Sequence, residues 1–463
     1  MAGRAEIKCI GPSYATADRK AAVQRSINLF MRQIEGLGED RQVILASAPG
    51  LAVLAALGAD ARGAFNCDGR LFVVAGAVLY EVSAAGGLTG RGTLGSSSGF
   101  VSMAYGRDQL VMVDGPGGYV LNLQTNVFGQ ITDTDWRGSN TVDELDGYFI
   151  FAAPGTDQFY ISAIDDATAL DGLDFSSADA KPDNLVTFRV HKRELILFGT
   201  RSAEVWIDSG DADFPFTRYN STPIDIGIVG VRAHAICADT LCFVGSTDRG
   251  RGYVYEMRGH QPVRISTQAV EEALAGSSDL SQCSMWSYQT PGNEFLGINA
   301  PGMGTTWVFD FSTRQWHERG EYVAGAWQPL RLSFVVAYGG QQIGIGGASA
   351  YTMSDDYPTL AGDELVRERT WPHLAAPTFE PVAYRGLELA CTTGGPTDGR
   401  ITLEISNDGG YTYGPPLLRS LGAVGRYMQR VRWMMLGTAR DRVFRLRCSD
   451  PVALNIHAAA VDA

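Results

Sequence analysis

The stretch ISNDGGYTYG, at residues 405–414, places Ser406, Asp408, Gly410 and Thr412 at alternate positions. This S-x-D-x-G-x-T spacing is the motif called the Asp box. Its carboxylate can accept hydrogen bonds from backbone N–H groups across a tight turn, and glycine tolerates the positive φ angles that such a turn needs. Both tasks serve the folding of a hairpin, so we expect the Asp box to be a structural turn.

Sialidases repeat the Asp box on several blades of a propeller and do their chemistry elsewhere. That chemistry uses an arginine triad, a Tyr/Glu pair and an early Arg-Ile-Pro motif. The present sequence has one Asp box and no Arg-Ile-Pro. We therefore expect this Asp box to be structural and not part of a sialidase site.

A second candidate site is the segment DTDWRGSNTVDE, which has the spacing of a calcium-binding loop. Asp133, Asp135, Gly138 and Glu144 take positions 1, 3, 6 and 12 of an EF-hand loop, whose oxygens wrap around Ca²⁺. Position 5, however, is Arg137, a cation where a ligand belongs. Strands are expected on both sides, so we interpret the segment as a polar loop and leave calcium binding as the alternative.

Two glycine-rich stretches match enzyme motifs in spacing only. Ser97 is central in GSSSG (residues 95–99), like the nucleophile of G-x-S-x-G, and GRGTLG (90–95) matches a dinucleotide-binding loop. Both motifs need a following helix, whereas FVSMAYG has the pattern of a strand. The histidines form no HxH or HExxH, and the seven cysteines form no CxxC. The sequence predicts no metal site, no cofactor and no disulfide framework.

The net charge of −13 is unevenly distributed along the chain. Residues 1–356 contain 26 basic and 40 acidic residues, whereas the remainder contains 12 arginines and 11 acids. A large acidic body is a poor nucleic-acid binder by bulk charge. DNA that passes such a body is repelled rather than bound.

The C-terminal arginines form two pairs with a spacing of two residues: Arg430 with Arg432, and Arg445 with Arg447. In a strand, each pair projects from one face. A guanidinium offers five donors that suit carboxylates or phosphate. Because the same chain has an acidic body, a subunit interface is the better of the two binding interpretations, and an exposed sheet face remains the alternative.

Short strand-like runs, separated by Gly, Asp, Asn or Pro, recur in groups of four along residues 63–320. Such a unit at this period is a propeller blade. A shorter group at 327–356 lacks its last strand, which the run QVILASAPGLAVLAAL could supply to close the ring. We expect an all-β fold whose β-propeller has seven blades, with six as the alternative.

Two further segments flank the predicted propeller. Residues 1–42 are expected to form an N-terminal arm, in which Ile27, Phe30, Met31 and Ile34 line one face of a short helix unless tertiary context makes the arm extended. The propeller then covers 43–356, with a second short helix after Ser266. Longer strands from residue 357 to 463 predict a C-terminal β-sandwich-like domain. The chain has no secretory h-region and no run long enough to cross a bilayer, so we expect a soluble protein made in a cytoplasm, with no membrane insertion.

At the level of residues, the chain resembles the packaged-DNA stabilisation proteins of short-tailed bacteriophages, which are tail hub or nozzle proteins. The resemblance extends over most of the sequence and rests on the order and spacing of these segments: RSINLF (25–30), PGL (49–51), LDGYFIF (145–151), LILFGTRSAEVW (195–206), FPFTR (214–218), RISTQAVE (264–271), TTWVFDFSTRQWHERG (305–320) and NDGGYTYG (407–414).

The resemblance implies a structural virion protein of the phage tail, made in the cytoplasm of the host bacterium. It also implies that the chain is not an enzyme, because the family has no catalytic residues to carry over. The protein would assemble as a ring, expected to be a hexamer, below the portal and its head-to-tail adaptor. A tail needle or plug and tail fibres or spikes would be further partners. Double-stranded DNA would pass through the channel without specific binding and be retained until ejection.

The alternative function is a propeller that binds or cleaves glycans in a phage tail. It requires acids and aromatic sugar platforms, such as Trp206, Trp286, Trp307 or Trp316, to converge on the propeller axis. These tryptophans lie within strand patterns, where a blade core is their more common location.

Overall fold

The computed structural model describes residues 4–34, 42–211, 213–219, 223–247, 250–375 and 380–462. Strands dominate from the first described residues onward. The N-terminal strands are β1 (Arg4–Ile7), β2 (Tyr14–Ala15), β3 (Val23–Ile27), β4 (Leu29–Ile34), β5 (Gln42–Ser47) and β6 (Gly50–Ala56).

Three four-stranded sheets follow, which we call blades one to three. Blade one comprises β7 (Ala61–Cys67), β8 (Arg70–Ala75), β9 (Val78–Val82) and β10 (Leu88–Thr93). Blade two comprises β11 (Ser102–Gly106), β12 (Gln109–Val113), β13 (Gly118–Asn122) and β14 (Phe128–Gln130). Blade three comprises β15 (Val142–Leu145), β16 (Tyr148–Ala152), β17 (Gln158–Ala163) and β18 (Asp166–Ser177).

Blades four to six continue the same order. Blade four comprises β19 (Leu185–His191), β20 (Glu194–Gly199), β21 (Ala203–Asp208) and β22 (Phe216–Arg218). Blade five comprises β23 (Gly227–Ile228), β24 (His234–Cys237), β25 (Thr240–Thr247), β26 (Gly250–Arg258) and β27 (Gln261–Arg264). Helix α1 (Gln268–Ala275) and a 3-10 turn (Leu280–Gln282) lead to blade six, with β28 (Ser284–Thr290), β29 (Asn293–Asn299), β30 (Thr306–Asp310) and β31 (Gln315–Arg319). The helix predicted after Ser266 is confirmed.

Blade seven is completed by a strand from the other end of the propeller sequence. A hairpin of β32 (Glu321–Val323) and β33 (Ala326–Gln328) precedes it, and its own strands are β34 (Phe334–Tyr338), β35 (Gln341–Gly346) and β36 (Ser349–Ser354). The fourth strand is β6, which pairs antiparallel with β36 so that Val53 lies opposite Tyr351. Seven blades and closure by the N-terminal run are therefore confirmed.

The blades form a ring around a common axis. Innermost strands are in contact from β7 through β11 and β15 to β19, and from β24 through β28 and β34 back to β7. Every blade buries both faces, because β-branched and aromatic residues alternate along strands that stack against neighbouring blades. In β8, for example, Leu71, Phe72, Val73 and Val74 are all fully buried.

The remaining strands, apart from the first two, form a two-sheet sandwich together with β1 to β5. They are β37 (Thr359–Leu360), β38 (Asp363–Glu364), β39 (Arg367–Thr370), β40 (Leu374–Ala375), β41 (Val382–Cys391), β42 (Arg400–Ser406), β43 (Leu417–Ser420), β44 (Val431–Ala439), β45 (Asp441–Cys448) and β46 (Asn455–Asp462). The short hairpin of β37 and β38 stays on β6, at the edge of blade seven. One sandwich sheet has the order β4-β5-β46-β41-β44, with β1 on β46. The other contains β3-β39-β45-β42-β43, and Trp371, Trp433 and Phe444 are buried between the two sheets.

The N-terminal segment belongs to these sheets and is not helical. Residues 23–27 and 29–34 form β3 and β4, separated by Asn28 at a φ of 54°. The expected helix with Ile27, Phe30, Met31 and Ile34 on one face is therefore wrong, and the extended alternative is correct. The physical reason is tertiary: β4 pairs along its whole length with β5, and β3 pairs with β39.

Both helical segments of the described chain, eight and three residues long, are too short to cross a membrane.

Candidate assembly surfaces

The Asp box forms a turn whose hydrogen bonds converge on one carboxylate. Asp408 accepts bonds from the backbone N–H groups of Tyr411 and Thr412, each at 3.0 Å, and from the Thr412 hydroxyl. Ser406 Oγ accepts from the Gly410 N–H at 2.8 Å and donates to Asp408 at 2.7 Å. These bonds, led by that of the Thr412 hydroxyl, hold the pKa of Asp408 well below its usual range.

The outer side of this turn contacts the N-terminal segment. Arg19 donates to the Gly410 carbonyl at 2.8 Å, and its guanidinium lies 5.6 Å from the centre of the Tyr411 ring. A Cβ on Gly410 would lie 2.6 Å from Val23, and Gly410 has a φ of 85°. The turn thus combines three side chains that bond to its backbone, those of Ser406, Asp408 and Arg19, with a close approach to β3.

The predicted arginine pairs lie on different sheets, and each guanidinium meets a carboxylate of its own chain. Arg445 and Arg447, on β45, bind Glu404 and Glu368 at 2.6 and 2.7 Å. The Arg445 guanidinium also lies 3.6 Å from the centre of the Tyr413 ring. This pair is mostly buried, so its intrachain contacts are extensive.

Arg430 and Arg432, beside and on β44, lie on the other sheet. Arg430 binds Glu388 at 2.7 Å and Arg432 binds Asp462 at 2.5 Å. The side chain of Arg430 is 64% exposed, compared with 19% for Arg445. A role for the four arginines in a subunit interface remains a prediction, and Arg430 is the member most accessible to another chain.

The calcium-like loop is held by other contacts. Asp133 accepts from the Asp135 N–H at 2.9 Å and from the Leu170 N–H at 3.2 Å, while Glu144 accepts from the Gly147 N–H at 2.7 Å. Arg137, at the predicted ligand position, donates to the Gly172 carbonyl at 2.6 Å. Across the described ranges, no three His, Cys, Asp or Glu side chains come together in a group that would hold a metal ion.

The glycine–serine stretch at 95–99 is arranged around an arginine. Arg62 donates to the carbonyls of Ser96, Ser98 and Gly99 at 2.6–2.8 Å. Strand β11 follows, and not a helix, so Ser97 is not on a nucleophile elbow.

The propeller axis contains a small cavity of about 200 Å³, and the four candidate tryptophans do not line it. Aromatic and basic side chains from several blades do so, including Phe65, Phe100, Arg189, Arg232, His234 and Phe334. Trp206, Trp286, Trp307 and Trp316 are 2–5% exposed and pack within and between blades. The described residues therefore do not form the aromatic sugar platform that the glycan hypothesis requires.

At the junction of propeller and sandwich, two buried residues that the sequence analysis did not identify hold chain segments together. Arg369 is 1% exposed, and it donates to the carbonyls of Cys9 and Gly11 and to the Ser26 hydroxyl at 2.7–3.1 Å. Burial lowers the pKa of this guanidinium to about 10. Arg369 thereby fixes the N-terminal segment on the sandwich. Its sequence context, RERT, gives no signal for this role.

Asn28 joins three parts of the chain at the same junction. Its side-chain amide donates to the carbonyls of Gly320 and Val366, both at 2.8 Å, and its Oδ1 accepts from the Gly320 N–H at 3.1 Å. It is fully buried. The end of blade six, the start of β39 and the N-terminal segment therefore meet at one side chain.

Charge along the chain is segregated more sharply than the two-part count indicated. Residues 133–179, which include blade three, contain eleven acids and a single base, Arg137. Residues 409–440, in the sandwich, contain five arginines and no acid. A windowed charge count would have found both segments.

Comparison with known families accounts for most of the chain. The β-propeller model of bacteriophage P22 Gp10 matches residues 24–342, and the β-sandwich model of the same protein matches residues 372–463. No curated protein sequence is similar enough to count as a match.

Several solved structures match this chain at low identity. The N-terminal domain of Nup159 is 9% identical, covers 66% of this chain and 95% of its own, and has a TM-score of 0.41. The β-propeller domain of Cps50 (Swd1) from Myceliophteria thermophila is 10% identical, with coverages of 64% and 96% and a TM-score of 0.41. PorZ from Porphyromonas gingivalis is 15% identical, with coverages of 80% and 46% and a TM-score of 0.39.

Family membership rests on the two domain models, which together span the propeller and the sandwich in the order the structure shows. The chain belongs to the bacteriophage P22 Gp10 family, the packaged-DNA stabilisation proteins of phage tails.

Proposed function

We propose that this tail protein is a ring-forming hub, with six copies below the portal and its adaptor, that extends the DNA channel and retains packaged DNA until ejection. The observation that carries the proposal is the presence of both Gp10 domains in one chain. A propeller joined to a sandwich is a suitable structural subunit when the two domains resist relative movement. Strand β3 of the sandwich pairs with β31 of blade six, and buried Asn28 bonds to both sides of this junction.

The charge balance supports a passive role towards DNA. Duplex DNA carries about one negative charge per 1.7 Å of its length, and a protein that binds it uses Lys and Arg to displace counterions. The propeller side of this chain has the opposite composition, with 40 acids against 26 bases up to residue 356. We propose that part of this acidic excess faces the channel, where like-charge repulsion keeps the duplex centred and mobile.

The proposed neighbours follow from this position in the virion. The portal and adaptor lie above the ring, a needle or plug closes it below, and fibres or spikes attach around it. The protein is made in the cytoplasm of the host bacterium and acts in the virion tail. We assign it no enzymatic step.

Within this function, the Asp box is a structural element, and the C-terminal arginines contribute to contacts between copies. Support for the first comes from the hydrogen bonds that Ser406, Asp408 and Thr412 make within the turn. Support for the second is the exposure of Arg430 in a domain that carries little net charge beside an acidic propeller.

The test is the assembly state of the purified protein, alone and with its adaptor. Light scattering and electron microscopy should show a closed ring with an opening wide enough for a duplex. A monomer in every condition, adaptor included, would refute the hub function. An arginine-lined opening would refute the repulsion mechanism alone, and turnover of a host polysaccharide would contradict the absence of enzymatic activity.

A further inference from the structure

Blade three carries an acidic projection on its outer edge. Strand β18 is the outermost strand, and its pairing with β17 is interrupted between Leu170 and Phe175, so that residues 171–174 bulge away from the sheet. We call residues 171–174 the blade-three knob. At its tip, Leu173 is 82% exposed between two aspartates.

Side-chain contacts hold the knob in place. Arg137 donates to the Gly172 carbonyl and stacks on Phe175, with its guanidinium 4.7 Å from the ring centre. Among the described residues, Asp171 and Asp174 form no ion pair, and Asp171 accepts from the Leu173 N–H at 2.9 Å. Burial, followed by the charge of Asp171, raises the pKa of Asp174. An apolar tip flanked by carboxylates that form no ion pair is suited to a partner that is both apolar and basic.

The sandwich presents such a surface on its open edge. Strands β43 and β44 are the edge strands of the two sheets, and they lie side by side, with Trp433 donating to the Leu417 carbonyl at 2.7 Å. We call residues 417–439 the sandwich edge. Its exposed apolar side chains are Leu418, Val424, Tyr427, Met428, Met434 and Met435, of which Met428 and Met435 are 93% and 90% exposed.

The sandwich edge is also basic and locally strained. Arg419 and Arg426 lie in it, and it contains no acid, although its other two arginines, Arg430 and Arg432, pair with Glu388 and Asp462 of β41 and β46. Met435 has a φ of 56°, which is unfavourable for a side chain of this size, at a bulge in the pairing of β41 with β44. Buried Arg442 supports the bulge by donating to the Leu436 carbonyl at 2.8 Å. Flexible methionines beside arginines form an adaptable protein-binding surface.

These two surfaces are on opposite sides of one molecule. The sandwich packs on blades six and seven, through a cluster that includes Phe30, Ile44, Phe295 and Tyr351. In a ring of seven, blade three is the one blade that is three positions away from both of them. The sandwich edge of a chain therefore cannot cover its own knob, whereas a second copy can present one surface to the other.

We propose that the blade-three knob docks on the sandwich edge of the next copy, forming the head-to-tail contact that closes the tail ring. The inference rests on the proposed ring and specifies its interface. A contact between two different surfaces generates a closed ring when its rotation closes. Complementary charge provides orientation, and Leu173 against the methionines provides apolar burial. A blade three that only repelled DNA would need no exposed leucine between its aspartates.

The experiment places a photo-crosslinking residue, p-benzoylphenylalanine, at Leu173 of the full-length protein. Rings are assembled, with adaptor if needed, from a mixture of this variant and ¹⁵N-labelled unmodified chain. After irradiation, mass spectrometry should locate the crosslinks within residues 417–439 of the ¹⁵N-labelled copy. The same residue at Val127, which is 65% exposed on the neighbouring blade two, is the matched control and should not crosslink there.

A charge exchange tests the same contact without crosslinking. The pair Asp171→Arg and Asp174→Arg should raise the concentration for half-assembly about tenfold, and Arg419→Glu with Arg426→Glu should do the same. Combining all four should restore assembly. If rings form but residue 173 crosslinks elsewhere, for instance to DNA in filled particles, the proposed interface is wrong and the hub function still stands. If no ring forms under any condition, both proposals fail.

Discussion

Arg25 and Glu318 form an ion pair across the junction of the sandwich and the sixth blade. Arg25 lies on β3, which pairs with β39 of the sandwich, while Glu318 lies on β31. The Arg25 Nε donates to Glu318 at 3.0 Å, and the Thr305 hydroxyl donates to the same carboxylate at 2.6 Å. The Glu318 side chain is 2% exposed and that of Arg25 is 30% exposed, so the pair links the two domains through a carboxylate that is buried.

Replacing Glu318 with Gln should lower the free energy of unfolding by about 3 kcal/mol, because a largely buried guanidinium loses its counter-charge. Urea unfolding followed by tryptophan fluorescence measures the change. Asp146→Asn is the matched control, since its partner Arg193 is 78% exposed and such surface pairs contribute at most about 1 kcal/mol. Equal losses for the two variants would contradict the structural role of the Glu318 pair.

The same carboxylate predicts a pH dependence. Burial alone would raise the pKa of Glu318, but the attraction and hydrogen bond of Arg25 outweigh it, and the pKa is lowered from 4.5. A lowered folded-state pKa contributes stability above the unfolded value, and this stability is lost as the pH falls through the folded value. The wild-type protein should therefore lose stability below about pH 4.5 more steeply than Glu318→Gln.

Replacing Asn28 with Ala should destabilise the protein by about 3 kcal/mol. The change leaves the buried carbonyls of Gly320 and Val366 without their donor. It also places alanine at a φ of 54°, a backbone conformation that alanine adopts less readily than asparagine. Asp68→Ala, at a φ of 50° on an exposed turn, separates the backbone effect and should cost about 1 kcal/mol. Thermal unfolding of both variants checks the difference.

Replacing Gly50 with Ala should weaken the pairing of β6 with β36 that closes blade seven. A Cβ at this position would lie 2.0 Å from the Tyr357 carbonyl oxygen, so β6 or the following chain has to shift. We expect a loss of about 2 kcal/mol and faster amide exchange in β6 and β36. Gly129→Ala is the control, because nothing lies within 4 Å of its Cβ. Protection of β36 that stays unchanged would argue against a strained closure.

Replacing Asp408 with Ala should loosen the Asp-box turn and the N-terminal segment that contacts it. The backbone N–H groups of Tyr411 and Thr412 lose their acceptor, so their amide hydrogens should exchange faster. Asp398→Ala, on an exposed loop, is the control. Ring assembly should persist in both variants, and its loss in Asp408→Ala without a change in exchange would instead indicate an interface role for the turn.

Replacing Arg430 with Glu should weaken ring formation, whereas Arg445→Glu should mainly destabilise the fold. Arg430 is largely exposed, while Arg445 is enclosed by Glu404 and Tyr413. Light scattering reports assembly, and thermal unfolding reports stability. Arg193→Glu, on an exposed loop of blade four, is the assembly control. Unchanged assembly of Arg430→Glu would remove this residue from the interface.

Local sequence patterns were sufficient to predict the propeller. Each blade consists of strands joined by short turns, so alternation and turn residues within about forty positions specify it. The closing strand β6 was predicted for a similar reason, because a blade that lacks a strand leaves an unpaired edge. The helix after Ser266 and the Asp-box turn are also local structures.

The N-terminal segment was decided by tertiary structure. The spacing of Ile27, Phe30, Met31 and Ile34 fits a helix, but β4 gains a full ladder of hydrogen bonds from β5. The carboxylate partners of Arg445 and Arg447 were also decided by tertiary structure. Glu404 faces Arg445 only because β42 pairs with β45, and Glu368 faces Arg447 because β39 pairs with the opposite side of β45.

The sequence by itself thus determined the strands, the blade repeat and the separation of charge along the chain. Only the tertiary structure decided which distant strands share a sheet, which arginines are buried and which aspartates stand on an open edge. The physical reason is that strand periodicity identifies the face a side chain occupies, whereas its partner depends on backbone pairing between residues hundreds of positions apart.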